Sequence, residues 1–369
     1  MYSSIKTPTL LLDQSRCIRN IERMVARAQR AGVTLRPHFK THQSRVIGHW
    51  FRQAGVQQIA TSSLGMARYF ADDGWQDITV AFPVNLREIE LIRSLAAKCR
   101  LHLLTLDEDV ISQLDRQLDS PAGLYLKIDV GTHRTGIDPN DLETIDRCIE
   151  AIVRSTHLTW RGFLAHAGHT YDARSPAAVR EIYAETTAPL IALKERYAAA
   201  LPGVQISYGD TPSCSVMDRF DGIDEIRPGN FVFYDLMQEQ IGVCTHDDIV
   251  VAVACPVVAL HPQRNEVIVY GGGIHFGKDA LLDDQGQRSY GMAVWPHQSS
   301  WRIAGQEVRL KALSQEHGVV SMPGGIPQEV SPGSLLFFLP VHSCMTAQCL
   351  GRYTIIPDGT TADHFAAAL

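Results

Sequence analysis

Between residues 33 and 240, short β-rich runs alternate with helix-patterned segments eight times over, and this repetition restricts the fold more than any other feature. The runs are Val33–His38, Gln58–Ser62, Ile78–Phe82, Leu101–Thr105, Leu124–Asp129, Trp160–His166, Gln205–Tyr208 and Glu225–Arg227. Ahead of them, Ile18, Ile21, Val25 and Ala28 share one face of a helix from about Ile18 to Ala31. Seven connecting segments carry helical patterns, clearest around Leu86–Ala97, Asp141–Val153 and Ala177–Ala200. Eight such units predict a closed (β/α)8 barrel of TIM type in the α/β class, in preference to an open doubly wound sheet. After about Gln240 the pattern changes. Ile249–Val258, Glu266–Val269, Glu307–Leu313, Ser334–Leu339 and Tyr353–Ile356 read as strands between Gly/Pro turns, with no helix between them. The expectation is a barrel over 1–240, whose first residues can join the second domain, and an all-β domain over 241–369.

Composition narrows the function class. The chain has 369 residues, is 45% hydrophobic and 20% charged, and carries a net charge of −6. That balance offers no basic footprint for nucleic acid, so no nucleic-acid partner is expected. No apolar run approaches the roughly 18 residues that span a bilayer, and none is expected to meet a membrane. The amino terminus lacks a signal-peptide pattern, and eight scattered cysteines suit reduced thiols in a cytoplasm.

A barrel brings the chemistry-bearing residues to one face. Lys40 follows strand one, Arg134 lies in the loop after strand five, and His166 ends strand six. The turn Gly209-Asp210-Thr211-Pro212-Ser213 follows strand seven, and Arg227-Pro228-Gly229-Asn230 follows strand eight. Barrel enzymes work at this carboxyl end. A lysine there can lose its proton and form a Schiff base with an aldehyde cofactor. A turn of Gly, Thr and Ser after strand seven can offer N–H groups and hydroxyls to a phosphate.

These residues resemble a known family. Thr7-Pro8-Thr9-Leu10, Pro37-His38-Phe39-Lys40-Thr41-His42, Lys127-Ile128-Asp129-Val130-Gly131-Thr132-His133-Arg134-Thr135-Gly136, His166-Ala167-Gly168-His169 and Arg227-Pro228-Gly229-Asn230 look like the fold-type III pyridoxal phosphate enzymes. Alanine racemase, D-serine dehydratase and D-threonine aldolase belong to that group. The tail motifs Gln315-Glu316-His317-Gly318 and Pro340-Val341-His342-Ser343-Cys344 are similar to the D-serine dehydratase-like branch. The resemblance runs over nearly the whole chain. It implies pyridoxal 5'-phosphate on Lys40, a D-amino acid substrate and a homodimer with active sites near the subunit boundary.

It also implies roles. Lys40 would hold the cofactor and then serve as base for the substrate Cα proton. Arg134 would sit near the cofactor's phenolate oxygen, and His166 would stack on its ring. Gly209, Thr211 and Gly229 would contact the phosphate. Arg227 and Tyr171 are rival neighbours of the pyridine nitrogen. His342 and Cys344, one residue apart at a strand end, can share one side and reach a single ion, and an imidazole with a thiolate favours Zn2+. An aspartate is the second ligand expected of the aldolase, so Cys344 agrees with the dehydratase. His317 is a candidate to orient a metal ligand, Cys349 reads as structural, and Gly271-Gly272-Gly273 as a turn or bulge with no helix after it.

The resulting expectation is a pyridoxal phosphate- and zinc-dependent lyase that converts a D-3-hydroxy amino acid to a 2-oxo acid and ammonia. D-threonine aldolase is the alternative within the class. A racemase and a non-catalytic pyridoxal phosphate-binding protein stand further off, the latter because such proteins lack a carboxy-terminal β domain.

Overall fold

The structure, a computed structural model, describes residues 2–283, 286–297, 300–305 and 307–365. Two compact units divide the chain. One comprises Glu22–Lys40 and Gly48–Gly229, the other Met1–Ile21, Thr41–Ile47 and Asn230–Leu369.

In the chain, β1 is Thr9–Asp13 and eight further strands follow: β2 (Thr34–Leu35), β3 (Ile59–Thr61), β4 (Asp77–Pro83), β5 (Arg100–Thr105), β6 (Ala122–Lys127), β7 (Leu158–Ala165), β8 (Gln205–Tyr208) and β9 (Glu225–Ile226). Strands β2 to β9 form one parallel sheet in the order β2-β9-β8-β7-β6-β5-β4-β3. A parallel bridge between His38 and Ala60 joins its two ends, with Phe39 N–H donating to Ala60 O at 2.8 Å and Ala60 N–H to Pro37 O at 3.0 Å. The ring therefore closes, as eight βα units predict.

The strand β6 reads Ala-Gly-Leu-Tyr-Leu-Lys and is buried throughout, because a barrel strand is covered on both faces. Helices Leu64–Asp72, Glu108–Gln117, Leu142–Arg154 and Pro176–Ala198 begin at Ser63, Asp107, Asp141 and Ser175, whose side chains each accept a backbone N–H of the first turn. The barrel interior also holds charge. Arg36 is 3% exposed and lies between Glu225 at 2.7 Å and Asp77 at 2.5 Å. Two carboxylates around one guanidinium keep it ionised despite its burial.

The other unit takes β1 into its sheet. That strand runs antiparallel to β10 (Val251–His261), pairing Thr9 with Ala254, and parallel to Tyr353–Ile356. Glu266–Tyr270, His317–Ser321, Arg309–Leu313, Gly291–His297 and Leu335–Pro340 link in that order and return to β10, which closes a six-stranded barrel. The expectation of no helix in this region is corrected. Ser343–Leu350 is helical, and one helical turn, Gly273–Phe276, follows the triple glycine. The sequence of Ser343–Leu350 hides its helix because Ser, Cys and Thr are indifferent helix formers and no apolar stripe marks it. No helix among the described residues is long and apolar enough to cross a membrane.

Phe39 fixes the end of the first barrel segment. Its ring is fully buried, with centroids of Phe51, Phe70 and Trp75 at 5.1, 4.9 and 5.1 Å. Phe39→Ala is expected to cost about 3–5 kcal/mol, the usual range for a buried aromatic. Urea unfolding measures it, and a loss under about 1 kcal/mol would mean that the aromatic cage collapses onto the gap.

Candidate functional site

Lys40 leaves the barrel at the carboxyl end of the first segment. Its neighbour Phe39 is locked in the cage just described, and its own backbone N–H donates to His38 Nδ1 at 3.4 Å. The Lys40 side chain is exposed. A rigid attachment with an accessible amine is the combination a covalent cofactor lysine needs.

Around that end, cations gather. Arg227 is 5% exposed and donates from Nε to Ser207 Oγ at 2.6 Å and from Nη2 to Ser207 O at 3.0 Å, with Ala165 O as a third acceptor. The Ser207 hydroxyl in turn donates to Glu225 at 2.6 Å. Burial pulls the Arg227 guanidinium down to about 10, while Glu225 opposes the shift. Lys127, at the end of β6, is 6% exposed and donates to Ile128 O at 3.0 Å. Burial, then the charge of Arg227, lower it to about 7, with Arg134 adding to the effect and Asp129 resisting it.

His166 lies among these charges. Its Nδ1 hydrogen-bonds Gly209 O, and because a carbonyl only accepts, Nδ1 carries the proton and Nε2 a lone pair. Burial, then the charge of Lys40, press His166 down to about 3, so the ring is neutral at physiological pH. A flat neutral ring beside Lys40 is suited to stacking.

The turn after β8 fits a phosphate. Thr211 is fully buried and its hydroxyl has no hydrogen-bond partner among the described residues. Asp210 caps the short helix Thr211–Val216 by accepting Ser213 N–H at 2.6 Å, and takes Thr170 Oγ at 3.1 Å. Gly209 has to be glycine, since a Cβ there would stand 2.8 Å from the Arg227 backbone. Gly229 lies in the buried stretch after β9. Burial raises the Asp210 carboxyl to about 6.

Arg134 stands exposed in the loop after β6, without a hydrogen bond or ion pair among the described residues. Asp129 shapes this loop by accepting the N–H groups of Gly131 and His133, both at 3.0 Å. Tyr171 is in the 3-10 turn Gly168–Asp172 and half-buried. Thr132 ties that turn to the Arg134 loop, donating to His166 O at 2.8 Å and accepting Gly168 N–H at 2.9 Å.

In the other unit, His342 and Cys344 come together, but not by strand alternation. The strand ends at Pro340, His342 is the N-cap of helix Ser343–Leu350, and Cys344 occupies its first turn. Their side chains are near enough for each to shift the titration of the other. His342 Nδ1 is held by Asp279 at 3.0 Å, which leaves Nε2 for Cys344 or an ion. That partner is Asp279 and not His317, which lies exposed at the start of His317–Ser321. Burial disfavours charge on His342, yet the Cys344 thiol, Asp235 and Asp279 together push it up to about 10. Cys344 falls below the usual thiol range because the His342 bond and charge outweigh its burial. An imidazole and an acidic thiol on one turn are a fitting donor pair for zinc. Among the described residues no group of three or more His, Cys, Asp or Glu converges, so such an ion would keep open positions. Cys349, on the same helix, is exposed.

Lys127, Asp210, Asp279 and Asn230 stand beside the candidate residues, and sequence reading assigned none of them. Asp210 had a signal, an acidic residue directly before Thr-Pro-Ser at a helix start. Asp279 had none, because it meets His342 across 63 residues of chain.

Three histidines make the protein acid-sensitive. His42 and His364 are 0% and 1% exposed, and burial holds them at about 3 and about 4, beside His166 at about 3. Unfolded, each titrates near ~6.5. Below that pH the unfolded chain binds protons that the native chain refuses, so stability is full above it and is lost as pH falls toward the native values. Each such histidine contributes up to about 1.4 kcal/mol per pH unit across that window. Urea unfolding at pH 7.5 and pH 5 is expected to show the loss, with a shallower slope for His364→Gln. An equal slope in the variant contradicts it.

Comparison with known proteins adds a second line of observation. The alanine racemase N-terminal domain family matches residues 12–236, and the putative serine dehydratase domain family matches residues 251–356. The chain is 30% identical to D-threo-3-hydroxyaspartate dehydratase from Delftia sp. (strain HT23), over 97% of this chain and 96% of that one. It is 28% identical to D-serine dehydratase from Dictyostelium discoideum, over 96% and 94%. A D-threonine aldolase of Arthrobacter sp. is 23% identical over 97% and 91%. The solved structure of the Delftia enzyme superposes with a TM-score of 0.88 at 27% identity, covering 98% of both chains. A cysteine-to-alanine mutant of D-threo-3-hydroxyaspartate dehydratase, solved in the metal-free form, also scores 0.88.

Proposed function

Because this chain belongs to the fold-type III pyridoxal phosphate enzymes of the D-serine dehydratase family, we propose that it is a zinc-assisted lyase dehydrating a D-3-hydroxy amino acid to a 2-oxo acid and ammonia. The observation that carries this reading is the His342–Cys344 pair on one helical turn, inside the part of the chain that matches a serine dehydratase domain.

Pyridoxal phosphate supplies an electron sink for the carbanion at Cα. Lys40 would hold it, Gly209, Thr211 and Gly229 would receive its phosphate, the His166 ring would stack on it, and Arg134 would meet its phenolate oxygen. Arg227 is the better placed of the two candidates for the pyridine nitrogen, since its guanidinium is fixed by Ser207 and Ala165. Tyr171 remains the rival. His342 and Cys344 would hold the zinc, which when bound would supply Lewis-acid polarisation of the substrate's β-hydroxyl.

The residues perform the proton work. Lys40 Nζ takes the Cα proton from one face of the substrate, which selects the D-enantiomer. Loss of the β-hydroxyl then leaves an enamine that hydrolyses to the 2-oxo acid and ammonia. The neutral His166 ring adds no charge beside Lys40, so the lysine can exchange its proton without a second cation being created there.

D-Serine supplied to the zinc-loaded holoenzyme is expected to give pyruvate and ammonia in equal amounts, with L-serine at least ~100-fold slower, the lower end of what a positioned base contributes. Equal rates for the enantiomers would place the base on both faces and favour racemase-like chemistry. The homodimer that the family implies is checked by sedimentation of the holoenzyme.

A further inference from the structure

We infer that Thr41 and Asn230 are positioning residues for the proposed metal, two neutral side chains that hydrogen-bond the Cys344 sulfur and fix its direction as a ligand; this rests on the zinc reading above. Cys344 Sγ lies 3.3 Å from Thr41 Oγ1 and 3.5 Å from Asn230 Nδ2. As a thiol, Cys344 donates to the Thr41 hydroxyl. Once the thiol proton leaves, the sulfur can only accept, and the hydroxyl rotates about its C–O bond to donate.

Asn230 is already set to donate. It is 4% exposed, and its Nδ2 is directed at Asp235 Oδ2 at 2.7 Å and Ser343 Oγ at 3.1 Å as well as at the sulfur. The Asp235 carboxylate accepts, so it fixes which end of the amide faces it. The amide's other end, Oδ1, is buried with no partner among the described residues. That arrangement sacrifices one acceptor to keep the donor side toward the turn.

The same carboxylate also anchors the turn itself. Asp235 Oδ2 accepts the backbone N–H of Ser343, the residue between the two ligands, at 2.9 Å, and its Oδ1 accepts Gln238 N–H at 3.1 Å. Position and donor strength are therefore controlled by one buried network. Neutral donors suit the purpose. They orient the sulfur lone pairs toward the ion without adding a cation beside it, and losing such an outer partner weakens metal binding.

The test uses the full-length holoenzyme with zinc or cobalt(II), in wild type, Thr41→Val, Thr41→Ser and Asn230→Leu. Zinc affinity is read by chelator competition and the sulfur environment by the sulfur-to-cobalt charge-transfer band. Removing a donor partner is expected to weaken zinc by about 10–100-fold and to move the band to lower energy, because the sulfur lone pair is less stabilised. Thr41→Ser, which keeps the hydroxyl, should restore both. Thermal unfolding identifies a variant that fails to fold, and if Asn230→Leu is one, the threonine pair decides. Unchanged zinc affinity and an unmoved band in a folded Thr41→Val overturn the inference alone. A wild type that binds neither metal overturns the zinc reading and this inference with it.

Discussion

Lys40→Ala is expected to abolish turnover of D-serine, by at least about 10³–10⁴-fold, while the barrel stays folded. The loss combines the covalent anchor with a positioned base, which alone contributes roughly 10²–10⁴. Stability should be almost unchanged, since the Lys40 side chain is exposed and the ring that fixes the strand end belongs to Phe39. Borohydride treatment of the wild type should leave the cofactor covalently on a peptide containing Lys40. A label on Lys127 instead would reassign the anchor, and that alternative is a real one: burial and Arg227 lower Lys127 to about 7, so a good share of its amine is neutral at physiological pH. Geometry favours Lys40, because Lys127 is buried and already donates to Ile128 O.

Cys344→Ala should remove the metal and with it the dehydratase activity, leaving the cofactor in place. One of only two protein ligands is lost, and the remaining imidazole cannot retain zinc against a chelator. Chelation of the wild type should have the same effect and zinc should reverse it. The ordinary holoenzyme should contain about one zinc per chain, as one site formed by two ligands implies. A metal-free Cys344→Ala variant with full activity contradicts the Lewis-acid role. The alanine is tolerable structurally, because the turn keeps its anchor through Ser343 and Asp235 when the weaker contacts of the sulfur are lost.

The barrel strands were legible because each is a short β-rich run followed by a helix, and the period repeats locally. Lys40, His166 and Arg227 could be placed at one end for the same reason, since strand ends of a barrel fall on one face. What escaped depends on distant pairing. Asp279 meets His342 across 63 residues of chain, and Asn230 meets Cys344 across 114. The turn with His342 and Cys344 was found, but by the wrong local geometry, because a helix start resembles a strand end when its cap carries no Ser, Thr, Asp or Asn. Arg36 shows a further limit. It reads as a solvated cation beside Pro37, whereas the fold buries it between Asp77 and Glu225, and no local pattern announces a partner 189 residues away.

The bond that breaks is the central claim, and D-threonine distinguishes it in one experiment. Dehydration removes the hydroxyl, whereas retro-aldol cleavage keeps that oxygen in the aldehyde product. Zinc-loaded enzyme with D-threonine, followed by NMR of the products, is predicted to show 2-oxobutyrate and ammonia with little glycine. Glycine and acetaldehyde as the main products would contradict the dehydratase account and put a D-threonine aldolase in its place.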